Sequence, residues 1–93
     1  MSPADRVRQT LAAVNPAALF ADGFDEAVIG YTVNQHHAVV VVYDTDKCID
    51  VLMARDGMCY DDAEEFLSFN VLGAFVGANG PLFIRQVGAE EDF

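Results

Sequence analysis

The run Ala38-Val39-Val40-Val41-Val42-Tyr43 constrains this chain more than any other segment. Each valine carries two heavy atoms on Cβ, which stiffens the side chain and suits it to a pleated strand. A strand with one wet face alternates apolar and polar residues. This run does not alternate, so both of its faces want cover and it belongs at the centre of a sheet. Val28, Ile29, Tyr31 and Val33 mark a preceding strand over residues 27–33, and Asn34-Gln35-His36 reads as a turn between the two. So short a link makes the pair an antiparallel hairpin.

Helix signals flank the hairpin. Ser2 can cap, Pro3 suits a first helical position, and Asp5 meets the positive end of the dipole. Val7, Leu11 and Val14 then recur at helical spacing, and Asn15-Pro16 stops the helix. Residues 17–23 form a connector anchored by Leu19 and Phe20. After the apolar run, Asp44 or Thr45 caps a second helix, with Cys48, Ile49, Leu52 and Met53 inward and Gly57 as a left-handed C-cap. Asp61-Asp62-Ala63-Glu64 has the sense of a capping box for a third helix. That helix runs from about Asp62 through residues 66–76 and ends at Gly77 or Gly80. Residues 82–87 make a last strand behind Pro81. The order α-β-β-α-α-β implies one α+β domain over residues 1–93. It is a small two-layer sandwich whose three-stranded, mainly antiparallel sheet is covered by helices, with a mobile acidic tail over residues 88–93.

Charge narrows the partners. Five Lys and Arg stand against fifteen Asp and Glu, a net −10. Nucleic-acid binders neutralise phosphates with cations, so direct nucleic-acid binding is not expected. Anionic lipid is disfavoured in the same way, and a basic protein surface is favoured. The nearly apolar stretch over residues 66–78 is 13 residues long. A spanning helix needs about 20, so no membrane partner is expected. Residues 1–10 lack a signal-peptide pattern, and Cys48 and Cys59 do not make a disulfide framework. Reduced thiols and a cytoplasmic location follow as expectations.

Asp44 and Asp46, after an apolar strand and beside a helix start, are placed where a cation or phosphoryl group could be held. Residues 39–47 resemble the first motif of haloacid-dehalogenase-type phosphatases and the aspartate pair of topoisomerase-primase metal domains. Each likeness covers under ten residues and implies metal-dependent phosphoryl transfer. The plainer reading is two capping aspartates. An EF-hand fails, because positions six and twelve from Asp44 are Ile49 and Arg55. His36, His37 and the two cysteines lack zinc-ligand spacing, so no cofactor or metal is expected and the thiols are read as buried or half-buried. Aspartates around Cys48 and Cys59 disfavour a thiolate nucleophile.

The stretch Phe66-Leu67-Ser68-Phe69-Asn70-Val71-Leu72-Gly73-Ala74-Phe75-Val76-Gly77 is apolar nearly all round. A small domain has little core to cover every face of such a helix. Gly73 and Gly77 would line one strip where another backbone approaches, so Phe66, Phe69, Gly73, Phe75 and Gly77 are the candidate homodimer interface. The alternative is packing on the sheet.

A family resemblance runs across residues 25–84. It rests on Asp25-Glu26-Ala27-Val28-Ile29-Gly30-Tyr31, on Val42-Tyr43-Asp44 with Lys47-Cys48-Ile49, on Arg55-Asp56-Gly57-Met58 with Asp62-Ala63-Glu64-Glu65-Phe66, on the glycine-bearing stretch from Phe69, and on Pro81-Leu82-Phe83. The pattern resembles a family of small, uncharacterised proteins encoded by phages and prophages. The resemblance implies a phage setting and a host-cell cytoplasm, and it supplies no catalytic residue.

The function expected is a non-enzymatic interaction protein that inhibits or diverts a host factor, such as a defence or nucleic-acid-handling complex. Its contact residues are Asp44, Asp46, Asp50, Asp61, Asp62, Glu64 and Glu65, gathered at the starts of two consecutive helices. A nucleotide-like ligand in a dimer cleft is one alternative. A metal-dependent phosphoryl-transfer enzyme using Asp44 and Asp46 is the other.

Overall fold

Local chemistry sets the elements as the sequence directs. In a computed structural model that describes residues 2–33, 37–74 and 77–87, helix α1 spans Pro3–Val14. The Ser2 hydroxyl caps it by accepting from the Asp5 amide at 3.2 Å. Ala4, Val7 and Leu11 are buried, whereas Val14, one turn further on, is exposed. A connector with a short 3-10 turn at Asp25–Ala27 leads to strand β1, Val28–Tyr31, which pairs antiparallel with β2, Val41–Asp44. A bulge between Val28 and Gly30 breaks the register. β1 is shorter than the expected 27–33, and β2 begins only at Val41 and takes in Asp44 beyond the apolar run. The turn at residues 34–36 and the tail at residues 88–93 lie outside the described residues.

Asp44 ends β2 and starts helix α2, Thr45–Asp56, by accepting from the Lys47 amide at 3.1 Å. Gly57 closes α2 at φ 70°, a left-handed value that suits a residue without Cβ. Helix α3, Tyr60–Phe66, passes without a break into a π-helical turn at Leu67–Leu72, and strand β3 follows at Leu82–Ile84. The class is α+β with the order α-β-β-α-α-β.

The sheet order is β1-β2-β3, so the valine-rich strand is central. The sheet is mixed: β1 pairs antiparallel with β2, and β3 runs parallel to it. The parallel pairing follows from the connection, because α2 and α3 carry the chain back before β3 begins. The core joins Val7 and Leu11 of α1, Val28, Val41 and Tyr43 of the sheet, Ile49 and Leu52 of α2, and Ala63, Leu67 and Val71 beyond. The phenol of Tyr43 is buried, stacks on Phe83 with centroids 5.1 Å apart, and accepts from the Ala21 amide at 2.8 Å. That bond ties the connector to the sheet.

Val41 and Tyr43 face this core, so Val42 points the other way. Val42 is half-buried, and its neighbours Leu82 and Ile84 on β3 are exposed. The helices therefore cover one face of the sheet, and the second side of the valine run is only partly dry: Val40 is buried and Val42 is not.

Candidate functional site

The carboxylates at the starts of α2 and α3 fall into three places. Asp44 is buried and committed to the α2 cap. Asp46 and Glu64 meet on one arginine: Arg85 donates to Asp46 Oδ1 at 2.7 Å and to Glu64 Oε2 at 3.2 Å. Glu64 also accepts from the Tyr60 hydroxyl at 3.3 Å. Arg85 thus clamps α2 to α3 from behind β3, although its number among the scarce cations gave no sign of this role. Asp50 sits beside Glu26, Lys47 and Val51 in a shallow recess. Asp62 and Glu65 line a separate groove with Met58, Phe66, Phe69 and Asn70. Asp61 is exposed on α3 and belongs to neither recess.

Asp44 and Asp46, read together as a cation-holding pair, serve different partners. Among the described residues no three of His, Cys, Asp and Glu come together to hold a metal ion. The capping-box expectation also fails: Cys59 is the N-cap of α3 and no side chain bonds the open amides. The helix starts two residues before Asp62, which leaves Asp61 and Asp62 inside its first turn, where their charge meets the dipole.

Cys48 is fully buried, and burial, followed by the charge of Asp44, pushes its thiol up to about 12. Such a thiol stays protonated and inert at neutral pH. Cys59, expected to be at least half-buried, is exposed. The reason is the early start of α3, which makes it a surface cap.

The long apolar helix is shorter than its sequence suggested. Helical geometry ends at Leu72, and Gly77 adopts φ 96°, outside any helix. Gly73 and Gly77 therefore do not form one helical strip. Phe75 lies outside the described residues. Phe66 and Leu72 are partly exposed, and Phe69 is 78% exposed. Only Leu67 and Val71 of the π turn enter the core. Met53, expected inward on α2, is likewise 38% exposed.

The groove beside α3 has a volume of about 420 Å³ and is open to solvent. Met58 and Asn70 are its unanticipated members; nothing in the pattern around them marks a site. Asn70 Nδ2 donates to the Phe66 carbonyl at 3.3 Å, at the junction of α3 and the π turn.

No helix among the described residues is long and apolar enough to cross a membrane. Comparison with protein-family models, with curated proteins and with solved structures returned no match.

Proposed function

We propose that this chain is a non-enzymatic interaction protein of the kind phages encode to inhibit or divert a host factor, and that it works by offering acidic surface to a basic partner. The observation that carries this reading is the state of its cations. Arg8 pairs with Asp25 at 2.8 Å, Arg55 with Asp56 at 3.2 Å, and Arg85 with Asp46 and Glu64. Three of the five cations are thus engaged by the chain's own carboxylates. Asp5, Asp22, Glu26, Asp50, Asp61, Asp62 and Glu65 remain exposed and outside any ion pair among the described residues. A field of one sign steers an oppositely charged surface toward it. A nucleotide-like ligand would want free cations, and these are mostly spent.

The test is kinetic. A partner captured from host extract at low salt is purified, and its association and dissociation rates are followed as salt rises. Association should slow steeply, since the Debye length is about 8 Å at physiological ionic strength. Reversing Asp61, Asp62 and Glu65 to Lys should slow association far more than it speeds dissociation. An affinity indifferent to salt overturns the proposal.

A further inference from the structure

We infer that the groove of Met58, Asp62, Glu65, Phe66, Phe69 and Asn70 is the docking site within that acidic surface, and that its occupant is an arginine-bearing segment of a basic protein. The inference rests on the reading above and gives the partner a chemistry. Two features of the groove need explaining together. Phe69 is 78% exposed, although an aromatic ring is an expensive group to leave in water. Asp62 and Glu65 line the same groove as that ring, and no cation among the described residues lines it. A guanidinium answers both, because it is planar, stacks on ring faces and takes carboxylate oxygens through a rigid fork of donors.

The molecule builds that arrangement twice from its own residues. Arg8 lies 4.3 Å over the Phe20 ring while pairing with Asp25, and Arg55 lies 5.5 Å over Phe24 while pairing with Asp56. The groove repeats the ring and the carboxylates and omits the arginine. The π turn that shapes its wall is a rare backbone form that recurs at functional sites. A second copy of this chain is a poor occupant, because it would bring Asp62 and Glu65 and a further net −10 against the same two carboxylates.

The probe is a short capped arginine-rich peptide containing one leucine, with a lysine version as its control. Titration into isotope-labelled protein at low salt should move the amide signals of Asp62, Glu65, Phe66, Phe69 and Asn70. The lysine peptide should bind several-fold more weakly, since an ammonium lacks the planar fork. Phe69→Ala should weaken the arginine peptide about tenfold, and the change should not cost folding, because the ring is exposed. Shifts spread over all the carboxylates, with Phe69→Ala indifferent, would overturn the groove and leave the acidic-surface reading intact. Groove-confined binding that ignores salt and the Asp62→Asn, Glu65→Gln double change would overturn the arginine occupant and that reading with it. Concentration-dependent shifts of the same amides without peptide, with a dimeric mass by light scattering, would make a second copy the occupant and overturn the inference. Absence of binding at low salt would overturn both proposals.

Discussion

The β2–α2 unit and the stretch from α3 through the π turn are both rich in apolar side chains and end in opposite states. In the first, Val41, Tyr43, Cys48, Ile49 and Leu52 are all buried. In the second, Ala63, Leu67 and Val71 are buried while Phe66, Phe69 and Leu72 keep solvent contact. Apolar content alone does not decide burial. In β2–α2 the strand propensity, the Asp44 cap, the inward spacing and the Gly57 stop all favour one arrangement, and agreement of that kind marks a segment with a single solution. In the second stretch the side chains encircle the axis, the core has room for one side, and the remaining rings stay outside.

The sharpest way to break the contrast is a charge at its most buried point. Val41 has no exposed surface, and Val41→Asp would place an unpaired carboxylate in the core. That costs several kcal/mol against a total stability of about 5–15 kcal/mol for a native domain. The variant should show no cooperative melt by circular dichroism. A soluble variant with a sharp transition would mean that the strand is not the centre of the core.

Alkaline pH should strike the same unit. Burial raises both the Tyr43 hydroxyl and the Cys48 thiol, the latter from 9.0 to about 12. Above pH 9 the unfolded chain releases the thiol proton and the folded chain retains it. The contribution is thus fully present below that pH and is lost as pH climbs toward 12. The thiol alone removes about 1.4 kcal/mol per pH unit in the window, and Tyr43 adds in the same direction. Urea midpoints should fall stepwise there, and Cys48→Ala should flatten part of the slope. Flat midpoints in the parent protein would contradict burial of both groups.

Most of α1 and of the β2–α2 unit was legible because their signals are local. The Ser2 and Asp44 caps, the Asn15-Pro16 stop and Gly57 each act within a few residues of themselves. What escaped the sequence depends on groups far apart along the chain. Arg85 reaches Asp46 from 39 residues away, the Tyr43 hydroxyl reaches Ala21 from 22, and β3 lies parallel because two helices intervene. The glycine strip was misjudged for a different reason. A repeat of four implies one face only if the helix continues, and it stops at Leu72. The groove drew on Asp62, Glu65, Phe66 and Phe69, all singled out in the sequence, but in two separate roles.

A smaller effect tests the boundary between β2 and α2. Asp44→Ala removes the acceptor of the Lys47 amide and should cost about 1 kcal/mol. Asp44→Asn keeps a side-chain oxygen there and should recover most of it. Equal loss in both variants, read by chemical denaturation, would mean that the charge of Asp44 matters beyond its cap.

The smallest effect belongs to the second stretch and decides the contrast from its other side. At 78% exposure, the Phe69 ring has little apolar area to lose when it is shortened. Phe69→Ser should therefore change stability by no more than about 0.5 kcal/mol, as surface substitutions do. Neither the parent nor the variant should associate at high concentration, because a second copy would bring like charge against the carboxylates beside the ring. Thermal unfolding and light scattering on the two proteins give both numbers. A loss of several kcal/mol would show that Phe69 packs in solution against part of its own chain, and the second stretch would then be core like the first. A small loss together with weaker binding of the arginine peptide separates the two regions by purpose: β2–α2 holds the fold, and the ring on the π turn is left in water for contact with something else.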